Sequence, residues 1–377
     1  MRPPRASPQA KLGATNVIVF MLMTTKADGV SRQADFFVRD YDLAATLTSG
    51  QTFRWQLRDG GWEGVIGSRW VRLRAAADLR TSPGVELSAA YPLILTPGEK
   101  GDPRERGYQA KRPGLESRPS FLPLLGGEEK GHGGIQGRRS VIIAETATPV
   151  RDWSWLSDHL QLERNLAQVL ATFPDDEPMR AAVATCRGLR LLRQDPWECL
   201  ASFILSSSKQ IVQIQQIVAR LCERFGDRVI VHPNHPAVYA FPGPSRVSAA
   251  SEAELRACKM GFRAPNLRAT AQMVAGGEVD LNGLSELPVN EARDALMRLP
   301  GVGRKVADCV LLFACGFQSA FPVDVWVMKA LRRLYFPRRS VTLKRLHKFA
   351  ATHFGPCGGY AQQYLFHYTR VHAKLRG

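Results

Sequence analysis

The chain has 377 residues, of which 45% are hydrophobic, and its 51 Lys and Arg against 34 Asp and Glu give a formal net charge of +17. This length exceeds what one small core needs and suggests two domains. The charge favours a polyanionic partner over an acidic small molecule, with nucleic acid first and an anionic membrane second. A merely basic soluble protein is the alternative that the charge leaves open.

Cysteine spacing and hydropathy exclude several classes of protein. The seven cysteines are widely spaced, absent from the first 185 residues, and without the short spacing of a zinc knuckle. We therefore expect reduced thiols in an intracellular compartment, no disulfide framework and no metal site. The apolar stretch "VIVFMLM", residues 17–23, is far shorter than the ~20 residues that a membrane-spanning helix needs. We expect no membrane segment.

The N-terminal region is basic, with Arg2, Arg5 and Lys11 and no acidic residue among the first 23. An organelle-targeting leader has this composition, and so does a disordered tail. A start codon placed too early is a third explanation. We treat residues 1–33 as a disordered or targeting leader.

Short alternating runs separated by turn signals follow, among them "DFFVRDYDLAATL", "SGQTFRWQL", the turn "RDGGW", "EGVIG" and "RWVRLR". This pattern predicts antiparallel strands. Residues from about 82 to 139 are rich in Gly, Pro, Arg and Glu and predict a disordered insertion. Because "SVIIAE" then resumes the strand pattern, the insertion is placed in a loop of one sheet domain that spans residues 34–152.

From residue 153 to 377 apolar residues recur at three- and four-residue steps, which predicts a mainly helical domain. The predicted fold class is therefore α+β, with an N-terminal antiparallel sheet domain followed by a larger helical domain. Basic residues persist to the end of the chain. No repeat and no heptad pattern is present.

Inside this helical domain "NEARDALMR", "LPGVG" and "RKVADCVLLFACG" predict a helix, a five-residue hairpin and a second helix. Gly301 and Gly303 permit backbone angles closed to other residues, so that N–H groups around Val302 can point outward and donate hydrogen bonds to a phosphate oxygen. An ordinary turn between packed helices is the alternative. The hairpin is a candidate DNA-backbone anchor.

Lys305 lies in the first turn of the second predicted helix, where the helix dipole and Arg304 both disfavour an ammonium ion. A free amine there could attack a sugar carbon and form a Schiff base. An exposed lysine that grips phosphate is the alternative. Asp324, in "FPVDVWVMKALRRL", is a natural helix N-cap. Across a cleft, its carboxylate could also stabilise positive charge on a sugar and relay protons.

These motifs resemble the helix-hairpin-helix (HhH-GPD) superfamily of DNA base-excision glycosylases. The sequence "LPGVGRKVADCV" followed by "PVDV" is most similar to the 8-oxoguanine DNA glycosylase branch, and "SGQTFRW", "GLRLLRQDPWECLASFILSS", "MGFRA" and "YAQQYLF" agree with it. The resemblance runs from about Tyr41 to Phe366 without the insertion. It implies a TBP-like sheet domain before the helical glycosylase domain.

The resemblance also implies roles for individual residues. Lys305 would be the nucleophile and Schiff-base former, and Asp324 the catalytic carboxylate. The enzyme would flip 8-oxoguanine out of duplex DNA, cleave its glycosidic bond and nick the backbone by β-elimination. In the base pocket, the carbonyl of Gly50 would accept the N7 hydrogen that guanine lacks. Three further pocket residues are implied, two that sandwich the base and one that bonds its Watson–Crick edge: Cys309, Phe366 and Gln362.

Contacts to the DNA around the lesion are implied as well. Phe262 and Arg263 match the wedge that fills the vacated stack and contacts the opposite base. Where the family usually has an Asn run that helps to recognise the opposite cytosine, this chain has Ser208, Lys209 and Gln210. A family arginine nearby is replaced by Gln213, and a phosphate-binding His by Trp326. These departures put opposite-base discrimination and the lesion range in question.

Two other readings remain. An alkyl-purine glycosylase of the 3-methyladenine type keeps the Asp but normally lacks the Lys, and a non-catalytic protein could use the hairpin only to clamp DNA. Branches with an iron–sulfur cluster carry four cysteines after the catalytic region, where this chain has only Cys357, so no cluster and no cofactor is expected. We expect a monomer that binds double-stranded DNA, in the nucleus or a mitochondrion of a eukaryote or in the bacterial cytoplasm and nucleoid.

Overall fold

The computed structural model describes residues 21–22, 30–77, 138–207 and 209–374. Six strands form an antiparallel sheet in the order β1-β2-β6-β5-β4-β3. The strands are β1 Met21–Leu22, β2 Ser31–Arg39, β3 Gln56–Arg58, β4 Gly61–Ile66, β5 Arg69–Ala77 and β6 Arg139–Val150. A second, two-stranded sheet lies within the helical part and consists of β7 Arg228–Val229 and β8 Val238–Tyr239.

Helices make up most of the chain after β6, which agrees with the predicted α+β class. The helices are α1 Leu43–Thr48, α2 Ser154–Leu160, α3 Leu166–Leu170, α4 Glu177–Thr185, α5 Pro196–Leu205, α6 Ile211–Phe225, α7 Pro244–Ala249, α8 Glu252–Leu255, α9 Ala264–Ala275, α10 Val289–Met297, α11 Arg304–Val310, α12 Val325–Tyr335, α13 Leu343–His353 and α14 Gly358–Lys374. Short π-helical turns follow α8 and α11, at Arg256–Met260 and Leu311–Cys315, and short 3-10 turns span Gly261–Arg263 and Gly283–Glu286.

The large sheet buries one face because apolar residues alternate along its strands. In β2, Ala34, Phe36 and Val38 are buried, and they belong to one cluster with Leu156 and Leu160 of α2. The predicted turn in "RDGGW" is confirmed. Residues 59 and 60 connect β3 to β4 with positive φ angles of 44° and 71°, as a tight hairpin of two residues requires.

The strand prediction for "DLAATL" was wrong, since this run forms α1. Asp42 caps the helix, and its side chain accepts a hydrogen bond from the backbone N–H of Ala45 (2.8 Å). The cap satisfies an N–H group that a helix start otherwise leaves unpaired, and it stabilises a short helix where alternation suggested a strand. The neighbouring "SGQTF" forms no strand either.

Two predicted boundaries also need correction. The sheet domain does not start at residue 34, because β2 begins at Ser31 and pairs with Met21 and Leu22. The remaining residues of the proposed leader, 1–20 and 23–29, lie outside the described residues. The predicted insertion ends before Arg139, which is the first residue of β6. Residues 82–137 of it lie outside the described residues, as do residues 78–81 before it, and β5 and β6 on either side pair directly.

The helical part is built around α5, where every residue except Pro196 and Glu198 is buried. Pro196 begins the helix and Asp195 caps it by accepting from the N–H of Glu198 (2.8 Å), a favourable helix start. Phe203 of α5 stacks on Phe313, which follows α11 (ring centroids 5.6 Å apart). This packing holds the end of α5 against the hairpin helices. Among the described residues, no helix is both long and apolar enough to cross a membrane.

Candidate active site

The residues of the candidate site line one open cavity of about 520 Å³, a size typical of ligand pockets. Six elements contribute: the loop after α1, the end of α5, the start of α6, helices α11 and α14, and the loop before α12. The cavity lining includes six of the predicted site residues in the catalytic and base-pocket groups, Gly50, Lys305, Cys309, Asp324, Gln362 and Phe366. Side chains far apart in sequence are thus brought together as predicted, although their chemical roles stay predictions.

Lys305 lies in the first turn of α11, as predicted, and its side chain is half-buried. Its Nζ donates a hydrogen bond to Oγ of Ser206 (3.0 Å) and lies 5.0 Å from the ring centroid of Phe203. Both partners belong to the end of α5, so helix packing fixes the direction of the amine. The lysine points into the cavity and is not a freely solvated surface residue.

Asp324 is the N-cap of α12, which confirms the first of the two roles considered for it. Its Oδ1 accepts a hydrogen bond from the N–H of Val327 (2.7 Å). The cap orients the carboxyl group at the cavity wall, because a capping side chain must turn back toward the first turn of its helix. One oxygen is committed to the helix, and Oδ2 is the oxygen that a ligand can use.

Gly50 occupies a tight loop with φ of +85°, a conformation that L side chains rarely adopt. A Cβ atom there would lie 2.9 Å from Cδ1 of Ile211 and 3.3 Å from the ring of Phe366. Gln51 fixes the loop, since its buried amide donates to the carbonyls of Thr46 (2.9 Å) and Arg190 (2.8 Å). The backbone at Gly50 therefore lies at the cavity wall, where no side chain has room.

Cys309 follows Lys305 by one helical turn and is buried in the cavity wall. Burial raises the pKa of the Cys309 thiol to about 12, although the nearby charge of Lys305 opposes the rise and that of Asp324 reinforces it. The thiol is therefore neutral at ordinary pH and presents an apolar, polarisable surface. The charges of Lys305 and Asp324 both act on the pKa of this thiol because all three residues line the same cavity.

Helix α14 supplies the opposite set of lining residues at a spacing of four. Gln362 is buried, Phe366 is half-buried, and both line the cavity. Oε1 of Gln362 is buried without a hydrogen-bond partner among the described residues. A buried amide oxygen without a donor is costly, so this atom is a strong candidate ligand contact.

Sequence reasoning missed three polar residues of the cavity lining, Ser206, Gln363 and Arg370. Ser206 holds the amine of Lys305, and only its position at the end of an apolar helix in "FILSSS" hinted at exposure to a cavity. Arg370 follows Phe366 by four residues, so it shares the cavity-facing side of α14 with Gln362. Continuing that spacing by one helical turn would have found it.

The predicted hairpin is present between α10 and α11. Pro300 and Gly301 occupy the central positions of a turn closed by the N–H of Val302 and the carbonyl of Leu299 (3.1 Å), and Gly301 has φ of +78°. Pro followed by Gly with positive φ is the arrangement of a type II turn. Thr270 of α9 ties the turn to the domain by donating to the carbonyl of Pro300 (2.8 Å).

Two details of the hairpin prediction were wrong. Gly303 has φ of −91°, which any residue adopts, so its backbone does not require glycine. The N–H of Val302 bonds within the turn and its side chain is buried, so this amide is not free for a phosphate. Gly301 and Gly303 are exposed on either side of it. The predicted phosphate anchor is therefore limited to the exposed backbone of Gly301 and Gly303.

An ion pair holds the two hairpin helices together. Nε of Arg293 in α10 lies 2.6 Å from Oδ1 of Asp308 in α11, and Asp308 is almost fully buried. Burial raises the pKa of Asp308, opposed by its hydrogen bond to Arg293 and the positive charges of Arg293 and Arg304. The pair fixes the rotation of α11 about its axis and, with it, the direction of Lys305.

Phe262 and Arg263, the predicted wedge, differ in exposure. The Phe262 side chain is 63% exposed, whereas Arg263 is buried. Arg263 donates to the carbonyls of Met260 (3.3 Å) and Ser207, and its guanidinium lies 4.2 Å from the ring centroid of Phe262. In this structure Arg263 supports the loop that presents Phe262, and only Phe262 reaches the surface.

The loop predicted to read the opposite base lies at the cavity rim. Lys209 and Gln210 line the cavity, while Ser208 lies outside the described residues. Trp326, which stands where the family often has His, also lines the rim and is 42% exposed, with Nζ of Lys329 5.7 Å from its ring centroid. The rim thus combines aromatic and basic groups.

No metal site was expected, and within the described ranges no group of three or more His, Cys, Asp or Glu side chains is arranged to hold a metal ion. All seven cysteines lie in these ranges, each buried and free. Burial raises the pKa of several of the thiols, Cys222 and Cys315 to about 11 in each case. These thiols serve as small apolar core groups.

Comparison with known proteins agrees with this arrangement. Residues 35–200 match the 8-oxoguanine DNA glycosylase N-terminal domain, and residues 201–352 match the HhH-GPD superfamily base excision DNA repair protein. A probable N-glycosylase/DNA lyase of Methanothermobacter thermautotrophicus is 31% identical over 219 residues, 53% of this chain and 69% of that protein.

Two further matches extend the comparison. N-glycosylase/DNA lyase OGG1 of Arabidopsis thaliana is 34% identical over 225 residues, 56% of this chain and 60% of that protein, so the match spans less than two thirds of the plant protein. A crystal structure of Clostridium acetobutylicum 8-oxoguanine glycosylase/lyase bound to DNA has a TM-score of 0.71 at 25% identity, covering 95% of this chain and 99% of that one. The chain belongs to the 8-oxoguanine DNA glycosylase family of the HhH-GPD superfamily.

Proposed function

We propose that this protein is a base-excision repair enzyme that flips 8-oxoguanine out of double-stranded DNA, cleaves its N-glycosidic bond and nicks the abasic site by β-elimination. The observation that carries the proposal is the shared cavity of Lys305 and Asp324, bounded by the residues expected to hold the base. The Arabidopsis and Methanothermobacter relatives are named as glycosylase/lyases of this kind. The base must leave the duplex because stacking shields the sugar carbon.

Lys305 is the nucleophile in this mechanism. Its free amine attacks C1′ of the flipped nucleotide, and the C1′–N9 bond breaks with its electron pair on the base, which takes up one of the two protons that the amine nitrogen loses. The C1′–O4′ bond then breaks as the C1′=N bond of the Schiff base forms, and O4′ takes up the second proton. Proton loss at C2′ then expels the 3′ phosphate by β-elimination. Ser206 holds the amine nitrogen in place before the attack through the 3.0 Å hydrogen bond.

Asp324 supports the same step from across the cavity. As the base departs, positive charge develops on the sugar, and a preorganised carboxylate stabilises that charge. The N-cap bond to Val327 fixes Oδ1, so the carboxylate needs little reorganisation when the charge appears. The same group is suited to relay the proton that the attacking amine loses.

The proposed pocket contacts the base at its two faces, at its Watson–Crick edge and, through a backbone carbonyl, at N7. Phe366 and Cys309 enclose the two faces of the base, and the unpartnered Oε1 of Gln362 accepts from the N–H groups of its Watson–Crick edge. The carbonyl of Gly50 accepts N7–H, which 8-oxoguanine has and guanine lacks. That contact is the source of selectivity for the lesion, because an unpaired buried carbonyl would oppose guanine.

The surrounding surface holds the duplex. Gly301 and Gly303 place exposed hairpin backbone near a phosphate, and Phe262 enters the gap that the flipped base leaves. Lys209 and Gln210 face the opposite base at the rim of the cavity. Ser208 directly precedes them in the sequence. We place the protein with genomic DNA inside the cell, acting as a monomer without a cofactor.

A borohydride trapping assay on an 8-oxoguanine duplex tests the function. Wild-type protein should form a covalent complex with the lesion strand, and Lys305→Gln should form none, because glutamine cannot make a Schiff base. Lys348→Gln is the matched control, since Lys348 is an exposed lysine of α13 outside the cavity. Trapping by Lys305→Gln would refute the nucleophile assignment.

The same assay separates the alternatives when the substrates are varied. Salt-sensitive binding without any base release would identify a non-catalytic clamp, and release of 3-methyladenine without 8-oxoguanine would identify an alkyl-purine glycosylase. Placing each of the four bases opposite 8-oxoguanine tests the altered loop at Lys209 and Gln210. We expect weaker preference for cytosine than an arginine- and asparagine-lined loop would give.

A further inference from the structure

Arg370 is a charged cavity-wall residue that the proposed mechanism does not use. It lies on α14 one turn beyond Phe366 and two turns beyond Gln362, and it lines the same cavity. Its guanidinium carbon lies 5.3 Å from the ring centroid of Phe366. The side chain therefore packs beside the group expected to cover one face of the flipped base.

One nitrogen of this guanidinium lacks a hydrogen-bond partner among the described residues. Nη1 of Arg370 is buried and has no acceptor within the part of the chain that the structure describes. Leaving a buried donor unpaired is unfavourable, and buried polar groups of this kind usually have a partner. In a cavity that also holds the unpartnered Oε1 of Gln362, a ligand with both acceptors and donors would satisfy the two groups.

The position of Nη1 indicates which part of the base it faces. A Cβ atom built on Gly50 would lie 3.4 Å from Nη1, so the donor sits beside the backbone of Gly50. In the proposed function the carbonyl of Gly50 accepts the N7 hydrogen of the base. The two positions that flank N7 on that edge of 8-oxoguanine are the carbonyl oxygens at C6 and C8, and both are acceptors.

We propose that Arg370 is a catalytic residue that donates a hydrogen bond from Nη1 to a carbonyl oxygen flanking N7 of the flipped purine, at C6 or C8. This inference rests on the proposed function and adds a contact to the base that leaves. The bond strengthens during the reaction. When C1′–N9 breaks, the electron pair stays on the base and its negative charge spreads onto these oxygens, next to a fixed cation.

The electrostatics of the cavity are compatible with this role. Burial lowers the pKa of Arg370, and the charge of Asp324 opposes the effect. A guanidinium remains protonated in proteins, so the donor is present throughout the reaction and accepts no proton from it. Arg370 and Asp324 then act on opposite charges, the guanidinium on the departing base and the carboxylate on the sugar.

The test compares base release with a reaction that involves no base. Single-turnover release of 8-oxoguanine opposite cytosine is measured for wild type, Arg370→Leu and Arg370→Lys, and borohydride trapping on a pre-formed abasic site is measured in parallel. The ratio of the two rates corrects for folding, DNA affinity and the chemistry of Lys305. Arg151→Leu is the matched control, because Arg151 is exposed and does not line the cavity.

We expect Arg370→Leu to lower the ratio by about 10- to 100-fold, the range for losing a charge-assisted hydrogen bond that strengthens in the transition state. Arg370→Lys should lower it less, and Arg151→Leu should leave it unchanged. A duplex with 8-oxoadenine, which keeps the C8 carbonyl but not the C6 carbonyl, identifies the oxygen. Equal losses on both lesions indicate C8, and a loss only on 8-oxoguanine indicates C6.

A wild-type ratio for Arg370→Leu on both lesions would overturn the inference and leave the proposed function standing. So would equal losses of base release and abasic-site trapping, which would make Arg370 a structural residue of α14. Failure of the wild-type protein to release 8-oxoguanine at all would overturn the proposed function and this inference together.

Discussion

At the scale of single residues, Asp324 combines two demands in one side chain. Its Oδ1 is the N-cap of α12, and the same carboxyl group lines the cavity with Lys305. The two demands are separable by substitution, because Asn caps helices about as well as Asp but carries no charge. The residue can therefore be tested for catalysis without disturbing the helix.

Asp324→Asn should slow base release by about 100-fold or more, because the charge that stabilises the sugar is lost. DNA affinity and the free energy of unfolding should change little, since the cap remains. Asp324→Ala should slow base release as well and, in addition, lower the free energy of unfolding by about 1 kcal/mol through loss of the cap. Single-turnover kinetics, DNA titration and urea denaturation measure the three quantities. An equal loss of affinity and release in Asp324→Asn would leave Asp324 as a cap alone.

At the scale of elements, the hairpin between α10 and α11 holds Lys305 by backbone geometry as well as by packing. The type II turn at Pro300 and Gly301 sets where α11 begins, and the Arg293–Asp308 pair sets how it is rotated. The sequence predicts unusual backbone angles at both hairpin glycines. Only Gly301 has a positive φ angle, so the two positions should respond differently to a methyl group.

Gly301→Ala should lower the free energy of unfolding by about 1–2 kcal/mol, because an L residue with positive φ is strained. The added Cβ would also lie 3.0 Å from Cβ of Asn266. Gly303→Ala is the comparison, with ordinary φ and open space around the added methyl group. Because Gly303 is the N-cap of α11 and Ala caps a helix less well than Gly, it should cost about 0.5 kcal/mol, less than Gly301→Ala. Urea denaturation measures both. Equal costs at the two positions would show that backbone strain does not explain the glycine at 301.

At the scale of the whole molecule, the sequence predicted what local chemistry determines. The α+β order, the hairpin and the N-cap at Asp324 follow from short motifs, whereas the grouping of Lys305 with the predicted base-pocket residues follows from the family resemblance. The wrong predictions arose where tertiary contacts or capping decide. A run of six residues after Asp42 could be a strand or a helix by periodicity alone, and the cap selected the helix.

Arg263 and Arg370 show how little the sequence reveals of the tertiary surroundings of a charged side chain. The sequence around Arg263 gives no sign that this residue is buried against the carbonyl of Met260, and only the four-residue spacing from Gln362 and Phe366 indicates that Arg370 faces the cavity. Both outcomes depend on how α14 and the loop before α9 pack against elements far away in sequence. Charged residues are mostly exposed, so a sequence reading assigns such arginines to the surface by default.

The sheet also predicts that residues 78–137 are dispensable for the fold. Strands β5 and β6 pair in continuous register from Val71 opposite Thr146 to Ala77 opposite Ser140, so the two ends of this segment are already neighbours. Closing a shorter loop between paired strands has a smaller entropic cost. Replacing residues 78–137 with a five-residue glycine-containing loop should therefore preserve the sheet.

We expect the shortened protein to unfold at the same free energy or up to about 2 kcal/mol higher, since loop-closure entropy grows only with the logarithm of length. Its rates of 8-oxoguanine release and abasic-site trapping should match those of the full chain, because the cavity is built from other residues. A matched variant that also removes residues 75–77 should lose stability, since those residues pair with β6. Slower base release in a stably folded shortened protein would instead assign residues 78–137 to the contact with DNA.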